Sequence, residues 1–492
     1  MQEELDMEKT SFDLKVRNAT KWSTITELMA KLVAPVVQMI LARIIDKEAL
    51  GIVTIVNMVI SFSEIFVDAG FQKYIIQHEF MSDEEYDKYS NVAYWTNIFV
   101  AMIIFCNIFF FRNALSTTLG MQGYETALVI ASIQILITPL VSVQTARFRR
   151  NFNFKTLFGI RFIGSMIPLV ITVPLALLGM SYWSLIIGTL CSVIYNAIAL
   201  SLKSGWKPGF FYSISILKQM FSYSMWTLID QMVIWFTAWI DSFIIGTYLS
   251  AYYLGLYKTP VNMMTSLLGI FSAALTPVLF STLSRLQFDK KKIADVFLKF
   301  QKILAYILLP LGVGGFIYQS TVSNIVLGKG WEESHIIIGL TILTLSIRTI
   351  FVSLYSEMWR AIGKPKISLL LQLFDLLLLL CGSMYSIRRD FMLFVYVRAF
   401  LRLDLIIPEI IVMRCQISTK IKKIIGSVYK PVTCVTVMAI FAIFLQRNSN
   451  ALLTDFIGIG ISALVYFVAI RIFAKDDYRE IIENLKSSFN KK

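Results

Sequence analysis

The sequence predicts an all-α polytopic membrane protein with 14 transmembrane helices. It expects two six-helix lobes related by a pseudo-twofold along the membrane normal, plus two extra C-terminal helices. Three observations carry that prediction: fourteen apolar stretches long enough to cross a bilayer, a side-to-side alternation of Lys and Arg in the intervening loops, and an internal repeat six spans apart. Hydrophobic residues fill 57% of 492 positions and charged residues only 16%. A soluble domain carries roughly 25% charged residues.

A span needs about 20 mostly apolar residues. The chain supplies them at 19–42, 50–76, 91–111, 122–146, 157–179, 182–202 and 220–247, then at 252–283, 299–319, 334–359, 367–386, 391–413, 427–446 and 452–474. No room remains for a soluble catalytic domain. The cytoplasmic N-terminal segment 1–18 lacks an apolar core followed by small residues, so no removable signal peptide is expected. The tail 475–492 reads as amphipathic, with Tyr478, Ile481, Ile482 and Leu485 on one stripe that suits a membrane surface. Of the prolines inside spans, Pro260 and Pro277 in span 8 are the best placed for functional bends.

The loops after spans 4, 6, 8, 10 and 12 hold nineteen Lys and Arg, whereas those after spans 3, 5, 7, 9, 11 and 13 hold five. Cytoplasmic loops carry the excess of positive charge, so both termini are expected in the cytoplasm. One loop resists. Residues 78–90 should be cytoplasmic yet are acidic (Glu79, Asp83, Glu84, Glu85, Asp87); acids weigh little in orientation, so the assignment stands.

The repeat begins with ALGIV at 49–53 and YLGLY at 253–257, an offset of 204 that also carries Trp22 onto Trp226. Leu119-Gly120 before span 4 then answers Leu327-Gly328 before span 10. The basic exit 149–157 likewise answers 360–369. An even offset of six spans implies a parallel repeat with a substrate site between rocking halves. The expected units are lobes 19–202 and 220–413, a cytoplasmic linker 203–219, and helices 13–14 within 414–474.

Several chemistries are not expected. The five cysteines are scattered in or beside apolar runs and fit buried thiols, not disulfides or a metal site. His78 and His335 are far apart, and no phosphate-binding loop of the G-x-x-x-x-G-K-[S/T] type is present. The sequence therefore predicts no catalytic residues, no metal and no cofactor. The net charge of +14 sits in loops between spans, where topology and anionic membrane lipids account for it better than nucleic acid does.

The run LARIIDKEALGIVTIVNMVISFSEIFVDAGFQKYIIQ at 41–77 resembles the signature of Wzx-type oligosaccharide flippases, with its L-A-R, its L-G opening of span 2, its F-x-D-x-G and its terminal I-Q. The exit TARFRRNFNFKTL of span 4 and the stretch 327–366 are similar to the same family, and the likeness covers essentially the whole chain. Phe71-Gln72-Lys73 departs from it, since relatives often carry smaller residues after the glycine. The resemblance implies a transporter of the multidrug/oligosaccharidyl-lipid/polysaccharide superfamily in the bacterial inner membrane. It would flip undecaprenyl-diphosphate-linked oligosaccharide for capsule, exopolysaccharide or O-antigen assembly, alongside polysaccharide polymerase machinery and coupled to H+ or Na+.

Charge at bilayer depth costs about 2.5–3.5 kcal/mol per residue and usually faces an interior or a cavity. A path for a diphosphate needs cations, and Arg161, Lys258 and Arg348 are the candidate substrate-binding residues. Arg348 leads, lying in mid-span with no acid three or four residues away. Glu64 and Asp68 share a helix face, so a proton or cation held between them would relieve their repulsion; they are the candidate ion-coupling pair. Glu27 and Lys31 read as an ordinary i,i+4 ion pair. The competing functions are a cation-coupled drug antiporter of the same superfamily, a membrane glycosyltransferase or polymerase, and a non-transporting scaffold.

Overall fold

The computed structural model describes residues 22, 25, 29, 32–33, 35–286, 289–447, 452–477 and 479. Among them every regular element is a helix. Glu27, Lys31 and the whole tail stripe of Tyr478, Ile481, Ile482 and Leu485 lie outside the described residues, as do 1–18.

In chain order the helices are α1 (Pro35–Ile44), α2 (Lys47–Asp68), α3 (Phe71–Gln77), α4 (Asp83–Thr118), α5 (Glu125–Arg150), α6 (Phe154–Leu177), α7 (Ser181–Ser204), α8 (Ile214–Tyr248) and α9 (Ala251–Arg285). Then follow α10 (Lys290–Ile317), α11 (Gln319–Val326), α12 (His335–Arg348), α13 (Leu354–Ala361), α14 (Pro365–Ile387), α15 (Phe391–Leu401), α16 (Ile406–Ile417), α17 (Ile421–Arg447) and α18 (Leu452–Phe473). Eleven helical stretches among the described residues are long and apolar enough to cross a membrane, and bent α9 makes a twelfth. The protein is a multi-pass membrane protein.

Of the fourteen expected spans, the first is described as a continuous helix only from Pro35 onward. The twelfth is not one continuous helix. It divides into α15 and α16 around a turn at 402–405, and neither piece alone reaches membrane-crossing length. Its apolar composition marked a span, but composition does not report where a helix breaks. In span 8 the chain stays helical through Pro260 and bends by 42° between Ala273 and Val278, where the sequence places Pro277.

The described chain forms two compact units, meeting in sequence at Thr259 and Pro260. In the first, α2 is the hub, packed on α4, α5, α7 and α8. One contact there requires glycine on both sides. A Cβ on Gly51 would sit 1.8 Å from the Ala251 carbonyl oxygen, and one on Gly255 would sit 1.7 Å from that of Lys47. Gly51 and Gly255 are themselves 204 residues apart, as are Lys47 and Ala251, which is the repeat offset. The repeated motif therefore packs against its own copy through a local twofold.

The acidic segment at 78–90 also finds its reason in this unit. Ser82 caps α4 by accepting from the Glu85 amide, and Asp83, Glu84 and Glu85 fill the first turn, where acids suit the helix dipole. Asp87 pairs with Arg147 of α5 at 2.7 Å, and Arg150 donates to the carbonyls of Ile75, Ile76 and His78. The acids thus neutralise part of the basic exit of span 4.

In the second unit α10 packs on α12 and α17, and α17 packs on α18. Its core includes Phe297, Tyr355 and Trp359, all fully buried. Outward faces are apolar: Phe99, Phe110 and Phe111 on α4, with Phe444, Leu453 and Phe467 on α17 and α18, are exposed. Polar side chains such as Asn97, Ser132 and Gln301 are buried instead. The cysteines differ from expectation, since Cys106, Cys381 and Cys415 are exposed on outward faces and only Cys434 is buried.

Candidate functional site: polar cavities and membrane-embedded charges

Asp68 is the last residue of α2, and the chain turns there through two left-handed residues, Ala69 (φ 43°) and Gly70 (φ 78°). Gly70 lies so close to α8 that a Cβ would meet Thr227 Oγ1 at 2.0 Å. The F-x-D-x-G pattern therefore ends a helix, seats it against α8 and leaves the carboxylate at the turn. Span 2 is accordingly two helices, α2 and α3, where hydropathy suggested one.

Glu64 and Asp68 face α5. Gln134 Nε2 and Thr138 Oγ1 donate to Glu64 at 3.0 and 3.1 Å, and the Ser142 hydroxyl donates to Asp68. Both acids line a cavity of about 400 Å³ whose wall also carries Gln72, Thr145, Arg161 and Asn196. The same acids and Gln72 line a second cavity of about 360 Å³, together with Gln231, Trp235 and Trp239 of α8. Two expected coupling acids and one expected substrate cation, Arg161, thus share one polar chamber. Gln72, from the stretch that departs from the family pattern, belongs to it as well and donates to the Ser142 carbonyl at 3.2 Å.

Lys258 lies elsewhere in this unit. Its ammonium is buried, 2.9 Å from Asp241 and 2.9 Å from the Ala238 carbonyl oxygen, and sits over the Trp239 ring. This is an ion pair tying α9 to α8.

Arg348 stands in the second unit, where α12 passes into a wide π turn, Thr349–Ser353, before α13. Such turns occur often at functional sites. Its guanidinium reaches Asp375 of α14 at 2.6 Å and donates to the Arg402 carbonyl at 3.0 Å, with Asp404 at 3.9 Å. A helix broken within a membrane leaves backbone carbonyls that need donors. Arg348 serves the break between α15 and α16 in that way, while Arg402 turns its own side chain to Thr341 and Thr344.

Sequence reasoning did not single out Trp235, Trp239 or Asn196, and it noted Gln72 only as part of a departure from the family pattern. For the two tryptophans a signal was available, their i,i+4 spacing in a segment that also holds Asp230 and Asp241.

Helices with apolar outward faces and buried polar and charged side chains define a helical, polytopic membrane protein. Its fold is that of solved transporters. It superposes on a lipid II flippase MurJ in an inward closed conformation with a TM-score of 0.73 at 16% identity, over 94% of this chain and 100% of that one. An inward-facing multidrug resistance MATE family transporter of the MOP superfamily gives 0.60 at 14% identity, over 80% of this chain and 98% of that one.

A family profile described as polysaccharide biosynthesis protein matches residues 40–336, and the chain belongs to that family. Relatives include an uncharacterized membrane protein in the cps region of Klebsiella pneumoniae, 23% identical over 65% of this chain and 66% of that one. The succinoglycan biosynthesis transport protein ExoT of Rhizobium meliloti (strain 1021) is 24% identical over 63% and 62%. The lipopolysaccharide biosynthesis protein WzxC of Escherichia coli (strain K12) is 20% identical over 65% and 64%. The chain spans just under two thirds of the length of these curated relatives.

Proposed function

We propose that this protein is a flippase that moves undecaprenyl-diphosphate-linked oligosaccharide across the bacterial inner membrane by alternating access, for capsule, exopolysaccharide or O-antigen assembly. The observation that carries the reading is the chamber in which Glu64, Asp68 and Arg161 meet inside a shell of apolar helices, in a member of the polysaccharide biosynthesis family. A hydrated sugar-diphosphate needs such a lining to leave water, because an unpaired charge in hydrocarbon costs several kcal/mol.

The roles divide by chemistry. Arg161 supplies forked donors to phosphate oxygens, and Trp235 and Trp239 offer flat apolar faces to sugar rings. Glu64 and Asp68 bind the coupling proton or sodium ion. In the second unit Arg348 offers a further cation to phosphate oxygens, and in the first Lys258 holds α8 and α9 in register through Asp241. Both termini lie in the cytoplasm, two six-helix lobes rock about the bilayer midplane, and helices 13 and 14 stand outside that exchange.

Deletion of the gene followed by assay of lipid-linked oligosaccharide tests the reading. Accumulation in the inner leaflet, reversed by the wild-type chain and not by Arg161→Gln at equal protein level, supports it. An unchanged leaflet distribution overturns it, and restored drug resistance with unaltered oligosaccharide would favour the antiporter.

A further inference from the structure

Asp375 of α14 and Asp404, in the turn between α15 and α16, bring two carboxyl groups together inside the second unit. Asp375 is fully buried, and the Asp404 side chain is only 8% exposed. The two carboxyls lie within hydrogen-bonding reach of each other. We propose that they bind one proton between them, and that this proton governs how tightly Arg348 is held. The second half rests on the reading above, in which Arg348 offers its charge to phosphate oxygens.

Unmatched oxygens carry the proposal. Arg348 reaches one oxygen of Asp375 at 2.6 Å and stands 3.9 Å from Asp404, beyond hydrogen-bond distance. The other Asp375 oxygen and both Asp404 oxygens are buried with no hydrogen-bond partner among the described residues. The Leu405 amide approaches Asp404 but stays short of ordinary hydrogen-bond geometry. Buried polar groups are almost always hydrogen-bonded, and two carboxylates sharing one dry site repel each other. An ionised carboxylate only accepts, whereas a protonated carboxyl also donates. One proton between Asp375 and Asp404 therefore turns two bare acceptors into a hydrogen bond and leaves one negative charge facing Arg348.

Neighbouring charges do not take the place of that proton. Arg402 donates to Thr341 and Thr344, and Glu409 of α16 accepts from Trp359 Nε1 at 2.7 Å. Arg398, one turn before Arg402, is buried on α15. Neither arginine gives a hydrogen bond to the bare oxygens. The set does not suit a metal ion. Among the described residues no three His, Cys, Asp or Glu side chains are grouped to hold one, and a guanidinium already stands against the pair.

Arg348 links the pair to a ligand. Its side chain is 20% exposed while its partner Asp375 is fully buried, so it is the member that a phosphate can reach. With the proton bound, one carboxylate charge holds Arg348; with the proton lost, two do. Proton uptake thus loosens Arg348, and by linkage a phosphate that draws Arg348 away tightens the pair's hold on its proton.

The test follows the full chain in detergent by infrared difference spectroscopy as the pH is stepped, reading the carbonyl stretch of a buried protonated carboxyl. The background is Glu64→Gln/Asp68→Asn, which removes the chamber acids. A band that disappears as the pH rises is expected there. Asp404→Asn, and independently Asp375→Asn, should abolish it, and Glu409→Gln should keep it. Arg348→Lys, which keeps a cation but loses the fork, should move the disappearance to higher pH. A band that survives both aspartate variants, or that only Glu409→Gln removes, overturns the proton site. Loss of the band when sodium replaces potassium at fixed pH overturns it too, in favour of a sodium ion. An unshifted band in Arg348→Lys overturns the link to Arg348. Because the band reads a proton and not transport, its result stands apart from the leaflet assay of lipid-linked oligosaccharide.

Discussion

Arg348 and Lys258 belong to the same residue class in the sequence and to different situations in the structure. Each is an intramembrane cation without an acid one helical turn away, which marks it as costly and little more. Its partner comes from another helix, Asp375 of α14 for Arg348 and Asp241 of α8 for Lys258. That pairing follows from tertiary packing, so no spacing rule on one helix reveals it. The chamber acids were more legible, because Glu64 and Asp68 lie four residues apart on one helix face. A consequence follows for Arg348. Asp375 is fully buried, and removing one member of a buried pair strands the other charge at about 3–5 kcal/mol. Arg348→Ala should therefore lower the melting midpoint sharply in detergent. Arg348→Ala/Asp375→Asn should recover most of that loss while export of surface polysaccharide stays absent. Recovery of export by the double variant would make Arg348 a purely structural residue.

Helices were legible at the level of location and opaque at their interruptions. Hydropathy averages over about 19 residues, so it passes over the turn after Asp68, the π turn after Arg348 and the gap between α15 and α16. Two of these interruptions meet a partner elsewhere: Thr227 against Gly70, and Arg348 against the Arg402 carbonyl in the gap between α15 and α16. The repeat was legible, and the contact of its two copies was not. Because Gly51 and Gly255 meet reciprocal carbonyls at 1.8 and 1.7 Å, Gly51→Ala and Gly255→Ala should each destabilise by about 1–3 kcal/mol, the range for forced overpacking. The two losses should be equal within error and less than additive together, since the first separation relieves the second. Melting of the three variants decides it; unequal or additive losses would dissolve the twofold. Another contact joins elements through a titrating group. Burial raises the Asp477 carboxyl, but hydrogen bonds from Lys302 and Tyr306 and the charges of Lys302 and Lys430 outweigh that and hold it below the usual aspartate value of 3.8. A group depressed on folding stabilises above its unfolded value, and the gain disappears as pH falls through the folded one. Asp477→Asn should thus melt below the wild type at pH 7, and the gap should close as the pH drops below about 4.

At the scale of the whole molecule, orientation is the property on which every transport step depends. The chamber acids stand near the end of α2 that carries the turn to α3, and the glycine contact with Ala251 stands near its other end. Which end meets the cytoplasm decides whether the chamber loads from inside or empties there. Loop charge predicts the orientation through a bias repeated at the connections after spans 4, 6, 8, 10 and 12, and the one dissenting segment has its acids engaged by Arg147 and the first turn of α4. A specific accessibility pattern follows from that orientation. Gln122, exposed between α4 and α5, should face the outside, and Lys207, exposed between α7 and α8, should face the cytoplasm. The native cysteines must be removed first, because Cys106, Cys381 and Cys415 are exposed. In that background, Gln122→Cys in intact spheroplasts should react with a membrane-impermeant maleimide, and Lys207→Cys should react only after permeabilisation. The reverse pattern would invert the molecule and turn the proposed loading side of the Glu64, Asp68 and Arg161 chamber into its release side.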